Sequence, residues 1–580
     1  MVNVFVNMKK LILAVLFIIC TSPAWGATTY YVDATDGLDT NDGLSEGGAW
    51  KTIAKVNGAA FVAGDTILFQ RGEEWGERLN VPASGSDGLP ITFGAYGTGA
   101  DPILDANGEA YVFNIGDNDY ITVSGLKIVG GTARQITNTR PSSHIIISDM
   151  VLEDGADNAI MLGNGGAGTI TDITIDNVTI TDVADQAIIV ENFTDLTITD
   201  CTISVPLVGD GVGKGIFIPV DGNVGTLTIA RNTITGTESI GIELGDQTPR
   251  YPTGTIVVEH NVISGCPQSG LEDFGSNAIY RYNRVTNCDA HGIFIRDTST
   301  AQVIGNIVYD NAWSGIRVQD GTVGVKVYNN TLYQNNTANN AYDAEICVDN
   351  TATTPTGTLI KNNIMYHSGS NKALRIEDAI GAGTVVDYNS YDSDYTAMIS
   401  WAGDSYNTLA AFNTAETPQE DHGVSADPLF ANAAGDDFTL QYNSPCEDAG
   451  DNTIGAAYDD GLDPRDTTVP YSTLDQDLYG SGWEIGAFVY TGGLTGIAKD
   501  WDGNIMTSAV TVYVFEVDGA GAVVNQGWEG SGTSNTTTGI WMVDNIVEDE
   551  YLVVYVYYGA YGSQTNIAGA KYMQSLDIGL

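Results

Sequence analysis

Short stretches in which apolar and polar residues alternate recur along most of this chain, as in ITIDNVTI, LTIARNTI, IVVEHNVI and VKVYNNTL. Alternation with period two sends one set of side chains to the inside of a sheet and the other outside. A second kind of stretch reads small–apolar–x–apolar, as in GIFIPV, GIELGD, GIFIRD and GIRVQD. With one signal of each kind per repeat, eleven segments start at Tyr120, His144, Thr171, Asp195, Thr226, Thr255, Asn277, Ala301, Val325, Thr358 and Val385. Successive starts lie 22 to 33 residues apart. No segment has room for a crossover helix, which excludes a doubly wound α/β fold. The segments are also too short for propeller blades. One coil cannot bury its own apolar face, whereas coils stacked about 4.8 Å apart bury it between them. The pattern therefore predicts an all-β chain built as a single-stranded parallel solenoid of about 11 coils.

One repeat position supports this independently. Asn232, Asn261, Asn283, Asn306, Asn330, Asn363 and Asn389 share an offset that Leu126, Met150, Val178 and Cys201 hold in the four preceding segments. An inward amide needs partners, and identical neighbours one coil away supply them, so a stacked asparagine ladder is expected. Cys266 and Cys288 share another offset, and stacked one coil apart they stand within disulfide reach, as a bond or as two free thiols.

Composition sharpens the picture. Of 580 residues 69 are Gly and only 17% are charged, which suits strands joined by many turns. Lys9 and Lys10, the apolar run Leu11 to Cys20 and Ala24-Trp25-Gly26 read as a secretory signal over residues 1–26. The mature chain is expected to start at Ala27 and to be secreted, extracellular or periplasmic. It would carry 21 basic and 73 acidic residues, a balance of −52. So negative a surface repels nucleic acid and anionic membranes. No later apolar stretch approaches the roughly 18 residues of a membrane span. Five cysteines remain, with no CxxC pair to suggest zinc.

The flanks carry a resemblance. Ahead of the repeats stand YYVDATDGLDTNDGL, AWKTIAKVN, GDTILFQRGEEW and PITFGAYG; behind them stand ADPLFANAAGDDFTLQYNSPCEDAG and WEIGAFVY. These resemble the capping segments of secreted right-handed parallel β-helix proteins related to pectate lyases, chondroitinase B, alginate lyases and mannuronan epimerases. The resemblance implies a right-handed helix with an N-terminal cap and first coils over 27–118, repeats over 119–400 and a C-terminal cap over 401–490. Residues 494–580, with GIAKDWDGNIMTSAVTVYVFE, TTTGIWMVDNI and EYLVVYVYYG, resemble a small transthyretin-like β-sandwich. The family's catalytic signatures are missing: His291 lies in Asp-Ala-His-Gly and Arg375 in Leu-Arg-Ile-Glu. Neither Asn-Lys-Ser nor Asp-Pro-His-Glu occurs.

Candidate chemistry falls on the outward residues of the second strand signal. One column reads Phe217, Glu243, Glu272, Phe294, Arg317, Cys347, Arg375 and Ile399; the other includes Phe274, Arg296, Gln319, Asp349 and Glu377. Glu243 and Glu272 should be stacked neighbours roughly 5 Å apart, and two anions that close must share a proton, bind a cation or meet a base. They fit a calcium site with Asp273, if it turns outward, with no organic cofactor implied. They fit equally the two carboxylates of a retaining glycosidase, or partners of Arg296 and Arg317 in holding sugar hydroxyls. For a lyase or epimerase, His291, Lys214 or Arg317 would serve as base and opposing group. Arg296, Arg375 and Trp313 are candidates for substrate binding, with Trp401 and Tyr251 as further rings. The bland reading is a face of stacked ion pairs. The family resemblance thus implies a lyase or epimerase acting on an anionic polysaccharide; the alternative is a non-catalytic carbohydrate-binding or adhesive surface protein.

Overall fold

The computed structural model describes residues 26–490, apart from 106, 139, 164–167, 206–211, 221–222, 246–251, 298–299, 368–371, 378–382, 393–397, 442, 465, 467–470 and 477–481. Beyond 490 it describes the backbone of five strands. The signal segment and Tyr251 lie outside the described residues. The chain divides into two compact units, 1–209 and 210–580.

In the first unit each coil contributes to three parallel sheets. The first sheet runs through Thr29–Val32, Thr66–Gln70, Ile91–Tyr96, Ile121–Ser124, Ser143–Ser148, Ile170–Asp176 and Phe193–Thr199. Coiling therefore begins well ahead of Tyr120, where the sequence repeat becomes regular. A short helix, Ile53–Asn57, buries Ile53 and Val56; Thr52 caps it by accepting from the Lys55 amide. The Asp-rich opening forms turns: Asp39 accepts from the amides of Lys51 and Thr52, and Asp33 from those of Thr35 and Asp36.

The second unit repeats the three-sheet coil. Its third sheet holds Ile216–Ile218, Ile242–Leu244, Leu271–Phe274, Ile293–Arg296, Ile316–Gln319, Ile346–Asp349, Leu374–Ile376 and Ile399–Trp401, all parallel. Where the sequence showed two strand signals per repeat, the structure has three strands. The first signal spans a corner: LTIARNTI becomes Asn223–Ala230 in the first sheet and Thr233–Thr235 in the second. Between them Arg231 has φ +57°, and the equivalents His260, Tyr282, Asn329, Asn362 and Tyr388 are also left-handed. Arg231 is exposed to solvent, while Asn329 and Asn362 face the closing segment and bond its Tyr458 and Asp451 carbonyls, and the inward parity shifts across this position. Leu227 and Ile229 are buried before the corner, Asn232 and Ile234 after it.

The ladder forms at this corner. Each Nδ2 from Asn232 to Asn363 donates to the Oδ1 of the next asparagine at 2.9–3.0 Å. Each backbone amide donates to the same oxygen. A second stack follows the second sheet: the Cys288 amide donates to Asn311, Asn311 to Asn335, and Asn335 to Glu345. Cys266 and Cys288 occupy the same corner, buried and free.

The closing segment does not simply cover the end. The helix Leu409–Ala415 takes that place, with Phe412 packed on Trp401 and Tyr406. Residues 427–490 instead run back along the outside of the coils. Phe430 and Phe438 lie on Tyr333, and the Ala487 amide bonds Thr331 Oγ1. Tyr282 Oη donates to the Asp460 carbonyl, and Lys326 Nζ to Tyr458. Gly486 has φ +110° and a Cβ there would meet Ile364 Cδ1 at 2.6 Å, so only glycine permits this approach. Among the C-terminal strands, Gly493–Ile497 pairs antiparallel with Ile540–Asp544, and Thr511–Val517 with both Gly530–Thr533 and Tyr551–Tyr557. Among the described residues no helix is long and apolar enough to cross a membrane.

Candidate functional site on the third sheet

The third sheet of the second unit carries nearly all the candidates, because its strands stack in strict register. Phe217 pairs with Glu243, Glu243 with Glu272, Glu272 with Phe294, Phe294 with Arg317, Arg317 with Cys347 and Cys347 with Arg375. The column then ends on Ser400; Ile399 pairs with Leu374 and is fully buried. The expectation of an outward Ile399 is corrected by one residue, and a slip of one reverses the face.

The candidates separate into two groups on either side of Phe294. In the first, Lys214 Nζ lies 2.9 Å from Glu243 Oε1 and 3.9 Å above the Phe217 ring. Arg296 sits over Phe274 and Phe294, with its Nη1 3.4 Å from Glu272 Oε1. Glu243 and Glu272 are only 4% and 6% exposed. Burial, reinforced by the charge of Glu243, pushes the Glu272 carboxyl up to about 7, against a smaller opposing effect of Arg296.

In the second group Arg317 grips Asp349 with two bonds, Nε–Oδ1 at 3.1 Å and Nη2–Oδ2 at 2.5 Å. Its Nη1 lies 3.1 Å from His291 Nε2. Arg375 reaches Asp349 and Cys347 Sγ, both at 3.5 Å, and Glu377 at 3.2 Å. His291 is 1% exposed, and burial, then the Arg317 charge, holds its imidazole well below the ordinary histidine range. A neutral ring that receives the Arg317 proton at Nε2 carries its own proton on Nδ1, 3.8 Å from Asp343 Oδ1. Trp313 packs edge-on against this imidazole at 5.1 Å.

Two expectations about roles change here. Asp273 does not turn outward: it is fully buried, accepting from the Ser276 amide at 2.8 Å and Oγ at 2.6 Å. It pairs in register with Leu244 and Ile295 inside the coil, so it cannot join Glu243 and Glu272 around calcium. Those two carboxylates are already matched by Lys214 and Arg296, and this donor set does not fit the ion. His291 and Arg317, taken as proton-transfer candidates, are instead knitted into one buried network. Sequence reasoning missed Asp343, which Ser314 Oγ fixes at 2.7 Å, and Tyr342, whose ring lies 5.7 Å from the Arg375 guanidinium. Both sit in an insertion that breaks the repeat, so periodicity carried no signal for them.

A family model agrees on the fold. Residues 186–364 match the family model described as a right handed beta helix region. The Bacillus subtilis (strain 168) protein YwoF, itself uncharacterized, is 26% identical over 465 residues, covering 72% of this chain and 92% of its own. A lacto-N-biosidase of Bifidobacterium longum subsp. longum is 34% identical over 134 residues, which is 18% of this chain; the match spans only 8% of that enzyme's length. Among solved structures, the PL6 family alginate lyase AlyGC aligns at 15% identity and TM-score 0.46, over 69% of this chain and 57% of its own. A GH136 lacto-N-biosidase from Eubacterium ramulus aligns at 15% identity and TM-score 0.35, over 69% and 67%. The coiled region of this chain is a right-handed parallel β-helix.

Proposed function

We propose that the protein acts on carbohydrate at the outer face of this third sheet, cleaving a glycosidic bond between Glu272 and Glu243. The observation that carries the reading is the in-register Glu243–Glu272 pair, one member held by a lysine and the other protonated near neutral pH. Adjacent coils place such residues about 4.8 Å apart. Retaining glycosidases need their carboxyl groups about 5–5.5 Å apart. Glu272, still protonated up to about 7, gives its proton to the leaving oxygen. Glu243 attacks the anomeric carbon, and water then releases the sugar with Glu272 acting as base. Phe217, Phe274 and Phe294 keep the surroundings apolar. The short likeness to a lacto-N-biosidase supports a sugar-cleaving role.

A second reading, a lyase or epimerase on an anionic polysaccharide, is favoured by Arg296. Its side chain is about a third exposed beside Glu272, placed to meet a uronate carboxylate. The test runs both together. Aryl glycosides and neutral and acidic oligosaccharides are incubated with the protein while new reducing ends, anomeric configuration and the ultraviolet absorbance of unsaturated ends are followed. Reducing ends with retained configuration, lost in both Glu243→Gln and Glu272→Gln, are expected. Absorbance without hydrolysis selects the lyase reading, and saturable binding with no product makes the face a carbohydrate holder.

A further inference from the structure

Trp313 and Tyr342 stand at the turns that lead into adjacent strands of the third sheet, Ile316–Gln319 and Ile346–Asp349, which pair in register. The two residues are 39% and 67% exposed, among the large hydrophobic residues left in the open. Neither covers the core, which the strand residues Ile316, Val318, Ile346 and Val348 fill. Both are nonetheless held. The Trp313 amide donates to the Ala290 carbonyl, its carbonyl accepts from the Asn336 amide, and its ring edges onto His291. Lys372 Nζ bonds the Ala341 carbonyl at 2.8 Å, anchoring the turn that carries Tyr342. The Arg375 guanidinium lies 5.7 Å from the Tyr342 ring and 3.2 Å from the Glu377 carboxylate.

We propose that Trp313 and Tyr342 form a stacking subsite for a pyranose ring, so that the substrate is an oligosaccharide spanning several coils rather than a single sugar. This rests on the carbohydrate reading of the Glu243–Glu272 pair. Fixed, solvent-facing aromatic rings beside mixed donors and acceptors suit a ligand with an apolar face and a hydroxylated rim. The neighbouring network is ordered, since Asp349 holds Arg317 and Arg375 and Arg317 holds the His291 ring on which Trp313 packs, and a preorganised platform loses little entropy on binding.

The experiment is a chain-length series. Neutral xylo- and lacto-N-oligosaccharides and acidic alginate oligosaccharides of one to six residues are assayed with the wild-type chain, Trp313→Ala, Trp313→Phe and Tyr342→Ala. Trp313→Ala is expected to raise KM about tenfold for the longer substrates, to leave kcat and the shortest substrate unchanged, and to be largely restored in Trp313→Phe. Turnover whose KM is the same in all variants at every length overturns the subsite and leaves the function standing. Neither turnover nor binding with any of these sugars overturns both.

Discussion

Asn389 Nδ2 donates to Glu420 Oε1 at 2.7 Å, and through that bond a buried carboxylate takes the position that another asparagine would hold one coil further on. Tyr391 Oη and the Asn389 amide complete the set of donors to Glu420. The second stack ends the same way, with Glu345 accepting from the Asn335 side chain at 2.6 Å and its amide at 2.9 Å. A ladder of amides has a direction, donors toward one end, and its last donor needs an acceptor that cannot be another amide of the repeat. Both stacks meet that need with a glutamate, Glu420 from the closing segment and Glu345 from the position just before a strand that Gly315 and Ala373 hold in the neighbouring coils.

The first prediction concerns Glu420 and pH. Burial pushes its carboxyl up to about 8, so between roughly pH 4.3 and 8 the folded chain keeps a proton that the unfolded chain releases. Stability should fall as pH rises through that window and level off above it. Glu420→Gln keeps an acceptor for Asn389 without the charge. It should gain on the wild type by roughly 3 kcal/mol between pH 5 and pH 8. Urea unfolding of both proteins across this range measures it; parallel curves would mean that Glu420 titrates normally.

The interior of the ladder should be intolerant of truncation. Asn306 Oδ1 accepts from the Asn283 side chain and amide, and its Nδ2 donates to the Tyr280 and Ile304 carbonyls and to Asn330. Asn306→Ala leaves buried donors and an acceptor unpaired, costing roughly 2–4 kcal/mol. A urea midpoint within error of the wild type would refute the ladder's structural role.

How much of this was legible depends on whether a residue belongs to the repeat. The ladder asparagines, the Glu243–Glu272 pair and the alternation of Phe294 with Arg317 and Arg375 were readable because position in the coil dictates facing. Glu420, Asp343 and Tyr342 come from an insertion or the closing segment, whose contacts leave no period, while Glu345 stands where neighbouring coils have Gly315 and Ala373, so the repeat pattern pointed to a small residue there. Asp273 marks a different limit. Alternation alone put it inside, yet an inward carboxylate looked too costly until Ser276, three residues on, supplied two donors. The corner between the first two sheets was visible only as a phase shift from Ile229 to Asn232, which reads as an irregular strand until a left-handed Arg231 is allowed.

On the proposed glycosidase reading, the pH profile of turnover follows from Glu272. With its carboxyl at about 7, kcat/KM should decline above pH 7 as the acid form is lost. Arg296 opposes the upward shift, so Arg296→Gln should move that alkaline limb to higher pH. A limb that stays in place in Arg296→Gln assigns it to another group.

The last prediction separates structure from chemistry at His291. Arg317 donates to its Nε2, and both are enclosed by Asp343 and Asp349. If His291 were the base of the reaction, any substitution that removes the imidazole would abolish turnover. In this geometry it is an acceptor for a guanidinium, which a glutamine oxygen can replace. His291→Gln should therefore retain activity within about tenfold and leave the pH–rate profile unchanged, because no titrating group near neutrality has been removed. Arg317→Ala should behave quite differently. It takes the two-pronged partner from Asp349, leaving that buried carboxylate only the longer contact to Arg375 and the Gln319 amide, and losing one partner of a buried pair costs up to roughly 3–5 kcal/mol, so the loss should appear first in thermal unfolding. Arg317→Lys keeps the charge but not the two-pronged grip on Asp349, and should fall between the two. An inactive but fully stable His291→Gln protein would return the histidine to the reaction.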